Sequence, residues 1–223
     1  MNKELVDLVD EWRKLGSIPQ EGFDWTPRKQ SWIRTFPGNS DFISNLPKEL
    51  DRDYVRQICQ SMNSATREKF LAVMVWGYGE LGYGPYRVSN MLKQTDADTI
   101  LNEVVKLCLG GDPKGAYNYI RINRVRGLGP SYSSKFISFC TPREIGAPIF
   151  DSFIALWIEE FAKSDFQEVS ISSETWNSKT YESYWDWVKH HSDQLNCYPD
   201  EIELVLFRDA EARFGRNSGW SGK

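Results

Sequence analysis

The residues with the most chemical content are a run of eight, Arg124-Val125-Arg126-Gly127-Leu128-Gly129-Pro130-Ser131, and a carboxylate, Asp151, placed 20 residues beyond Ser131. The run lies between two predicted helices. Its first glycine permits a tight turn, and its second lets backbone approach a ligand closely. The helix that begins at Pro130 then turns unsatisfied amides outward, the arrangement that receives a phosphate. Taken alone, the glycine pair also fits an ordinary structural turn. Asp151 follows Pro148-Ile149-Phe150 at the start of the next predicted helix, where a carboxylate caps free amides and can still take part in chemistry. Lys135, four residues past Ser131, falls on the same helix face one turn away.

Charge decides what these groups could meet. The chain carries a net charge of −4, which by itself argues against a polyanion partner. The distribution argues the other way. From Pro113 to Arg143 there is no Asp or Glu, while Lys114, Arg121, Arg124, Arg126, Lys135 and Arg143 give +6 and leave −10 for the rest. A localised basic face centred on the glycine turn predicts phosphate contact.

In combination, the hairpin and the aspartate about twenty residues on resemble the signature of the helix-hairpin-helix DNA glycosylases. Within that superfamily the chain is most similar to prokaryotic proteins of the 8-oxoguanine DNA glycosylase fold, some of them implicated in phage defence. The resemblance runs over roughly residues 65–215 and is strongest over 124–157. It implies that Gly127, Leu128, Gly129 and Ser131, with Arg124 and Arg126, grip the DNA backbone. It also implies a monovalent cation on the main-chain carbonyls of Asn123, Val125 and Leu128, with no other cofactor required. Asp151 would then stabilise positive charge developing on the sugar as the base departs, and orient the attacking water.

Bifunctional members of the superfamily place a lysine immediately after the hairpin, where its amine forms a Schiff base. That position is Ser131 here, a departure that resembles the monofunctional members, which use water. Lys135 could supply the missing amine, contact a phosphate, pair with Asp151, or be a plain surface charge. Near the C-terminus, residues 201–207 resemble the segment that lines the base pocket of 8-oxoguanine glycosylases. Phe207 would stack on the flipped base, and Glu203, one helical turn before it, would accept hydrogen bonds from its edge. A carboxylate there favours a base presenting donors such as an exocyclic amine. Phe207 also fits simple core packing. The glycine-aromatic stretch from Trp76 to Tyr86, with Trp76, Tyr78, Leu81 and Tyr83, suits stacking against bases and filling the gap left by an extruded nucleotide, or else a rigid structural loop.

These groups need elements to hold them. Leu5, Leu8, Val9, Trp12 and Leu15 recur at helical spacing before Gly16. Residues 17–48, rich in proline, glycine and aromatics, read as a long ordered connector with one short helix. Helices are predicted around Tyr54–Met62, from Ser64 as cap to Trp76, and from Pro85. Others are predicted over Asp96–Leu109, Pro113–Asn123, Pro130–Cys140, Phe150–Ala162, Lys179–Leu195 and Pro199–Phe214. The expected fold is all-α, about ten helices in two lobes around a cleft with no β-domain. It is read as one compact domain over 1–215, with the helix-hairpin-helix at about 113–140 and a flexible tail at 216–223.

Composition excludes several alternatives. The longest apolar run, Phe70–Trp76, is far short of a membrane span, and the N-terminus is too acidic and amphipathic to read as a signal peptide. A cytoplasmic monomer acting on double-stranded DNA is expected, with no membrane partner. Cysteines at 59, 108, 140 and 197 form no close pair, so structural zinc or an iron-sulfur loop is not expected and buried free thiols are. The expected activity is excision of a modified base from DNA, either oxidised guanine or a hypermodified base such as glucosylated hydroxymethylcytosine, in repair or antiviral defence. Two alternatives stand beside it: a non-catalytic helix-hairpin-helix DNA-binding module and a helical interaction scaffold.

Overall fold

A computed structural model describes residues 2–166, 169, 171 and 177–215. The tail expected at 216–223 lies outside the described residues. In chain order the elements are α1 (Lys3–Lys14), β1 (Phe23–Asp24), α2 (Thr26–Thr35), α3 (Ser40–Asn45), β2 (Glu49–Leu50), α4 (Arg52–Gln60), α5 (Thr66–Tyr78) and α6 (Gly84–Leu92). They continue with α7 (Ala97–Leu109), α8 (Pro113–Asn123), α9 (Pro130–Cys140), α10 (Ser152–Phe161), α11 (Ser178–Leu195) and α12 (Pro199–Phe214). Single 3₁₀ turns stand at Pro37–Asn39 and Lys163–Asp165. The fold is all-α, as expected, apart from one antiparallel two-residue pair with Phe23 opposite Leu50 and Asp24 opposite Glu49.

The chain divides into two compact units, one of residues 20–142 and one of residues 1–19 with 143–223. The first holds α2–α9 around α5, whose residues from Lys69 to Trp76 are all buried. A helix buried on every side shows no amphipathic period, and its end could not be read from spacing. It continues two residues past Trp76, the expected terminus, and stops at Gly79 (φ +52). Lys69, the charged residue of this buried stretch, is 3% exposed and stays solvated by protein: its ammonium donates to the carbonyls of Cys59 and Ser61 at the end of α4.

The 17–48 connector is ordered, as expected, but holds two helices where one short helix was expected. It holds α2, α3 and β1, anchored by the fully buried Trp25 and Trp32, and the indole of Trp25 donates to the Pro47 carbonyl at 2.6 Å. In the other unit, α12 packs against α1, α10 and α11. Trp157 of α10 donates to Asp209 of α12 at 2.9 Å, and Arg208 of α12 donates to the carbonyls of Ile18 and Pro19. Cys59, Cys108 and Cys140 are buried free thiols, and burial raises those of Cys108 and Cys140 well above the usual range.

Candidate functional site

The basic turn is built in the 20–142 unit. Helix α8 ends at Asn123, and Arg124 enters the left-handed region (φ +50), as does Gly127 (φ +91). Between and after them, Val125 and Leu128 are buried at 3% and 6% exposure and anchor the turn, while Arg124, Arg126 and Gly127 face solvent. The Leu128 amide closes the turn on the Val125 carbonyl at 3.0 Å. Gly129 caps α9 with extended backbone, and Pro130 opens the helix. The two glycines are needed for different reasons. Gly127 is required by its φ, whereas Gly129 has an ordinary φ of −76° and no atom within 4 Å of where a Cβ would stand. Open space over a glycine that neither conformation nor packing demands is what close approach by an outside group would use.

The basic face is smaller than the sequence suggests. Arg143 belongs to the other unit, where it pairs with Asp200 (3.2 Å) and Glu201 (3.1 Å) and lies over the Tyr198 ring at 4.2 Å. Its charge is already matched. Arg121, Arg124 and Arg126 stay with the hairpin, together with Lys114 and Lys135.

Along α9, the Lys135 ammonium donates to the Ser131 hydroxyl at 3.0 Å and lies 5.8 Å from the centre of the Tyr132 ring. Ser131, Tyr132 and Lys135 are half-buried. Tyr132 stacks on Tyr78 of α5 (4.4 Å, 18°), and Gly77 allows that approach, since a Cβ there would sit 3.1 Å from Tyr132 and 3.5 Å from Lys135. Gly77 is therefore a packing glycine inside α5, and the glycine-aromatic loop shrinks to residues 79–83. Trp76, expected in the pocket, is a core residue against Phe139 (5.0 Å) with Arg52 over its ring. Tyr78 is 2% exposed, and burial raises its hydroxyl and that of Tyr132. Of the three aromatics expected in the pocket from this stretch, Trp76, Tyr78 and Tyr83, the last is exposed, edge-on to Tyr78 at 5.8 Å and beneath Arg87 at 4.8 Å, and Tyr86 in the first turn of α6 is exposed as well. Tyr132 was not singled out from the sequence. Its spacing of three to Lys135 was the available signal.

The second centre lies in the other unit. Residues 147–150 are buried, and α11 pins them: Tyr181 donates to the Pro148 carbonyl (3.3 Å), Tyr184 to that of Ile149 (3.0 Å), and Trp185 to that of Gly146 (2.8 Å). This strap delivers Asp151 to the start of α10, where Oδ1 accepts from the amides of Phe153 (3.1 Å) and Ile154 (3.2 Å). The carboxylate is half-buried, and both cap bonds fall on one of its oxygens. Two residues on, Phe153 meets Phe207 of α12 edge to face at 5.7 Å. Phe207 is half-buried, and Glu203, one turn earlier, is buried at 1% exposure. Asp151 and Phe207 thus share a neighbour, Phe153, whose amide donates to the carboxylate and whose ring meets Phe207, a ring contact that the sequence did not announce.

A model of the family described as "Putative 8-oxoguanine DNA glycosylase OGG-like protein" matches residues 16–207, more than four-fifths of the chain. No curated protein and no solved structure matches.

Proposed function

Because the chain belongs to this OGG-like 8-oxoguanine DNA glycosylase family, we propose that it cleaves the N-glycosidic bond of a modified base extruded from double-stranded DNA, leaving an abasic site. The observation that carries the reading is Asp151. It is a half-buried carboxylate on a pinned strap, fixed at a helix start beside an aromatic pair. Bond cleavage leaves positive charge on the sugar, and a fixed carboxylate stabilises that charge without reorganising as it forms. Water then adds to the sugar carbon and gives up its proton, for which the same carboxylate is the acceptor.

The hairpin supplies affinity without sequence preference through the Gly127, Gly129 and Ser131 amides and through Arg124 and Arg126, while the Leu128 amide, expected to share in the grip, is taken by the Val125 carbonyl and serves the turn instead. The carbonyls of Asn123, Val125 and Leu128 form a neutral donor set on one turn, in a stretch without carboxylates, which suits a monovalent cation better than a divalent one. Phe207 with Phe153 offers an aromatic surface to the flipped base, and Glu203, buried one turn earlier on α12, would be an acceptor for the exocyclic amine of a base that reaches that depth. Oxidised guanine and hypermodified bases such as glucosylated hydroxymethylcytosine both fall in that class. The reading extends to a monomer working in DNA repair or antiviral defence.

Lys135 favours a second route, because its ammonium already hydrogen-bonds at the position after the hairpin. As a free amine it would bond to the sugar carbon while the bond to the base breaks, the base taking up a proton and the opened sugar remaining as an imine on Nζ. Borohydride trapping on substrate DNA distinguishes the routes: an adduct lost in Lys135→Ala supports the amine, and no adduct supports water.

The test of the main reading is Asp151→Asn. Base release, followed by mass spectrometry on genomic DNAs of differing modification, should fall by at least ~100-fold while duplex affinity is kept. Unchanged release sinks the assignment. A wild-type protein that binds duplex DNA and releases no base from any of these DNAs would instead be a non-catalytic binding module.

A further inference from the structure

The conformation of the hairpin is held from outside by one side chain. Gln94, in the turn between α6 and α7, accepts from the Arg126 amide through Oε1 at 2.7 Å and donates from Nε2 to the Arg126 carbonyl at 2.9 Å. Both main-chain groups of a single hairpin residue are therefore taken by one carboxamide. Only one orientation of that carboxamide satisfies the pair, since its donor must meet a carbonyl and its acceptor an amide. Nε2 also donates to the carbonyls of Asn90 (3.2 Å) and Met91 (3.1 Å), which tie Gln94 to the end of α6. Met91 packs on the hairpin too, 3.6 Å from where a Gly127 Cβ would stand.

The clamped residue sits between the two residues of the hairpin with left-handed backbone, Arg124 and Gly127. An arginine at φ +50° is a costly conformation that persists only where the surroundings enforce it. Beyond Val125, Leu128 and the Met91 contact the turn is solvent-facing, and without the clamp a turn of this kind would spend part of its time in other conformations. A phosphate grip built from several amides needs all of them aimed at once, and ordering them on binding subtracts from affinity.

We propose that Gln94 is a positioning residue for DNA binding, holding the Arg126 peptide so that the amides of the hairpin and the start of α9 are aimed at one phosphate before DNA arrives. Gln94 itself touches no DNA. The inference rests on the reading of the hairpin as a DNA grip. It also links that grip to α6, whose first turn follows the exposed Tyr83.

Fluorescence anisotropy with an undamaged duplex oligonucleotide and the full chain tests it. Gln94→Ala should weaken binding by ~5-fold or more with the slope of log affinity against log salt unchanged, because no phosphate contact is removed. Gln94→Glu places a carboxylate against the carbonyls of Asn90, Met91 and Arg126, which favours its protonated form. That form can donate to the Arg126 carbonyl again, so the deficit relative to wild type should be largest at pH 8 and narrow toward pH 5.5. Lys93, Asp96 and Arg126 are the charged residues nearest in chain or contact, and all three are common to both proteins. In DNA-free protein, the Arg126 amide should exchange faster in Gln94→Ala than in wild type.

Wild-type affinity in both variants overturns the inference, as does a Gln94→Glu deficit that is constant with pH. Unchanged exchange at Arg126 also overturns it, and does so without reference to DNA. A wild-type protein with no salt-dependent duplex binding overturns the reading of the hairpin and this inference with it; the exchange measurement keeps that failure distinct from failure of the clamp.

Discussion

The hairpin and the strap that carries Asp151 are both short connections into a helix start, yet they are held in opposite ways. The hairpin keeps its polar backbone and arginines in solvent and is fixed by two buried side chains and one carboxamide. The strap buries residues 147–150 and satisfies their carbonyls with hydroxyls from α11. Under the proposed function, a phosphate grip would have to leave its amides open to the ligand, which fits stabilisation from the side. A carboxylate that meets developing charge would have to stay fixed, which fits burial around it. The difference predicts that substitutions in the strap cost stability, and substitutions in the hairpin cost affinity.

The largest effect expected from this contrast is at Gly146. A Cβ there would lie 2.4 Å from Pro199, and the backbone is left-handed (φ +70), so Gly146→Val should destabilise the fold by ~3 kcal/mol or more. Urea unfolding followed by circular dichroism measures it. A loss under ~1 kcal/mol would mean that the strap is not rigid and that Asp151 is not held as described.

The two hairpin glycines sharpen the comparison. Gly127→Ala meets a φ of +91° and should cost ~1–2 kcal/mol of stability as well as affinity. Gly129→Ala meets neither strain nor any neighbour, so its stability should stay within ~0.5 kcal/mol of wild type. Its methyl group instead fills the space through which a phosphate would come, and duplex affinity should fall by ~10-fold. A stable Gly129→Ala protein with full affinity would show that the open face of the hairpin is not where DNA binds.

What could be read in advance follows the same division. Helices α8, α9 and α12 were legible to the residue, because each opens on a proline in its first turn and the signal is local. The hairpin and Asp151 were legible for the same reason, as glycines and a capping carboxylate act over a few residues. Gly77 and the end of α5 were misread, because a glycine that looks like a breaker in sequence serves a close approach to Tyr132 in space. Gln94, Tyr132 and Phe153 take their roles from partners 32, 55 and 54 residues away, which no periodicity reports. Residues 17–48 hold two helices where one short helix was expected, because their core contacts come from isolated tryptophans without a repeating face.

Arg143 gives the smallest expected effect and the most specific one. By composition it belongs with the basic stretch, and by structure it is held by Asp200 and Glu201 beside Tyr198, in the unit that carries the strap. An arginine whose charge is matched within the protein releases no counterion from DNA. Arg126, exposed on the hairpin, should release about one. Arg126→Ala should therefore lower the magnitude of the salt slope by ~0.9, while Arg143→Ala leaves it unchanged and costs only a partly exposed ion pair, at most ~1 kcal/mol of stability. Equal slopes in the two variants would break the assignment of DNA contact to the hairpin side of the basic stretch. A reduced slope in Arg143→Ala alone would move the contact to the unit of the aspartate.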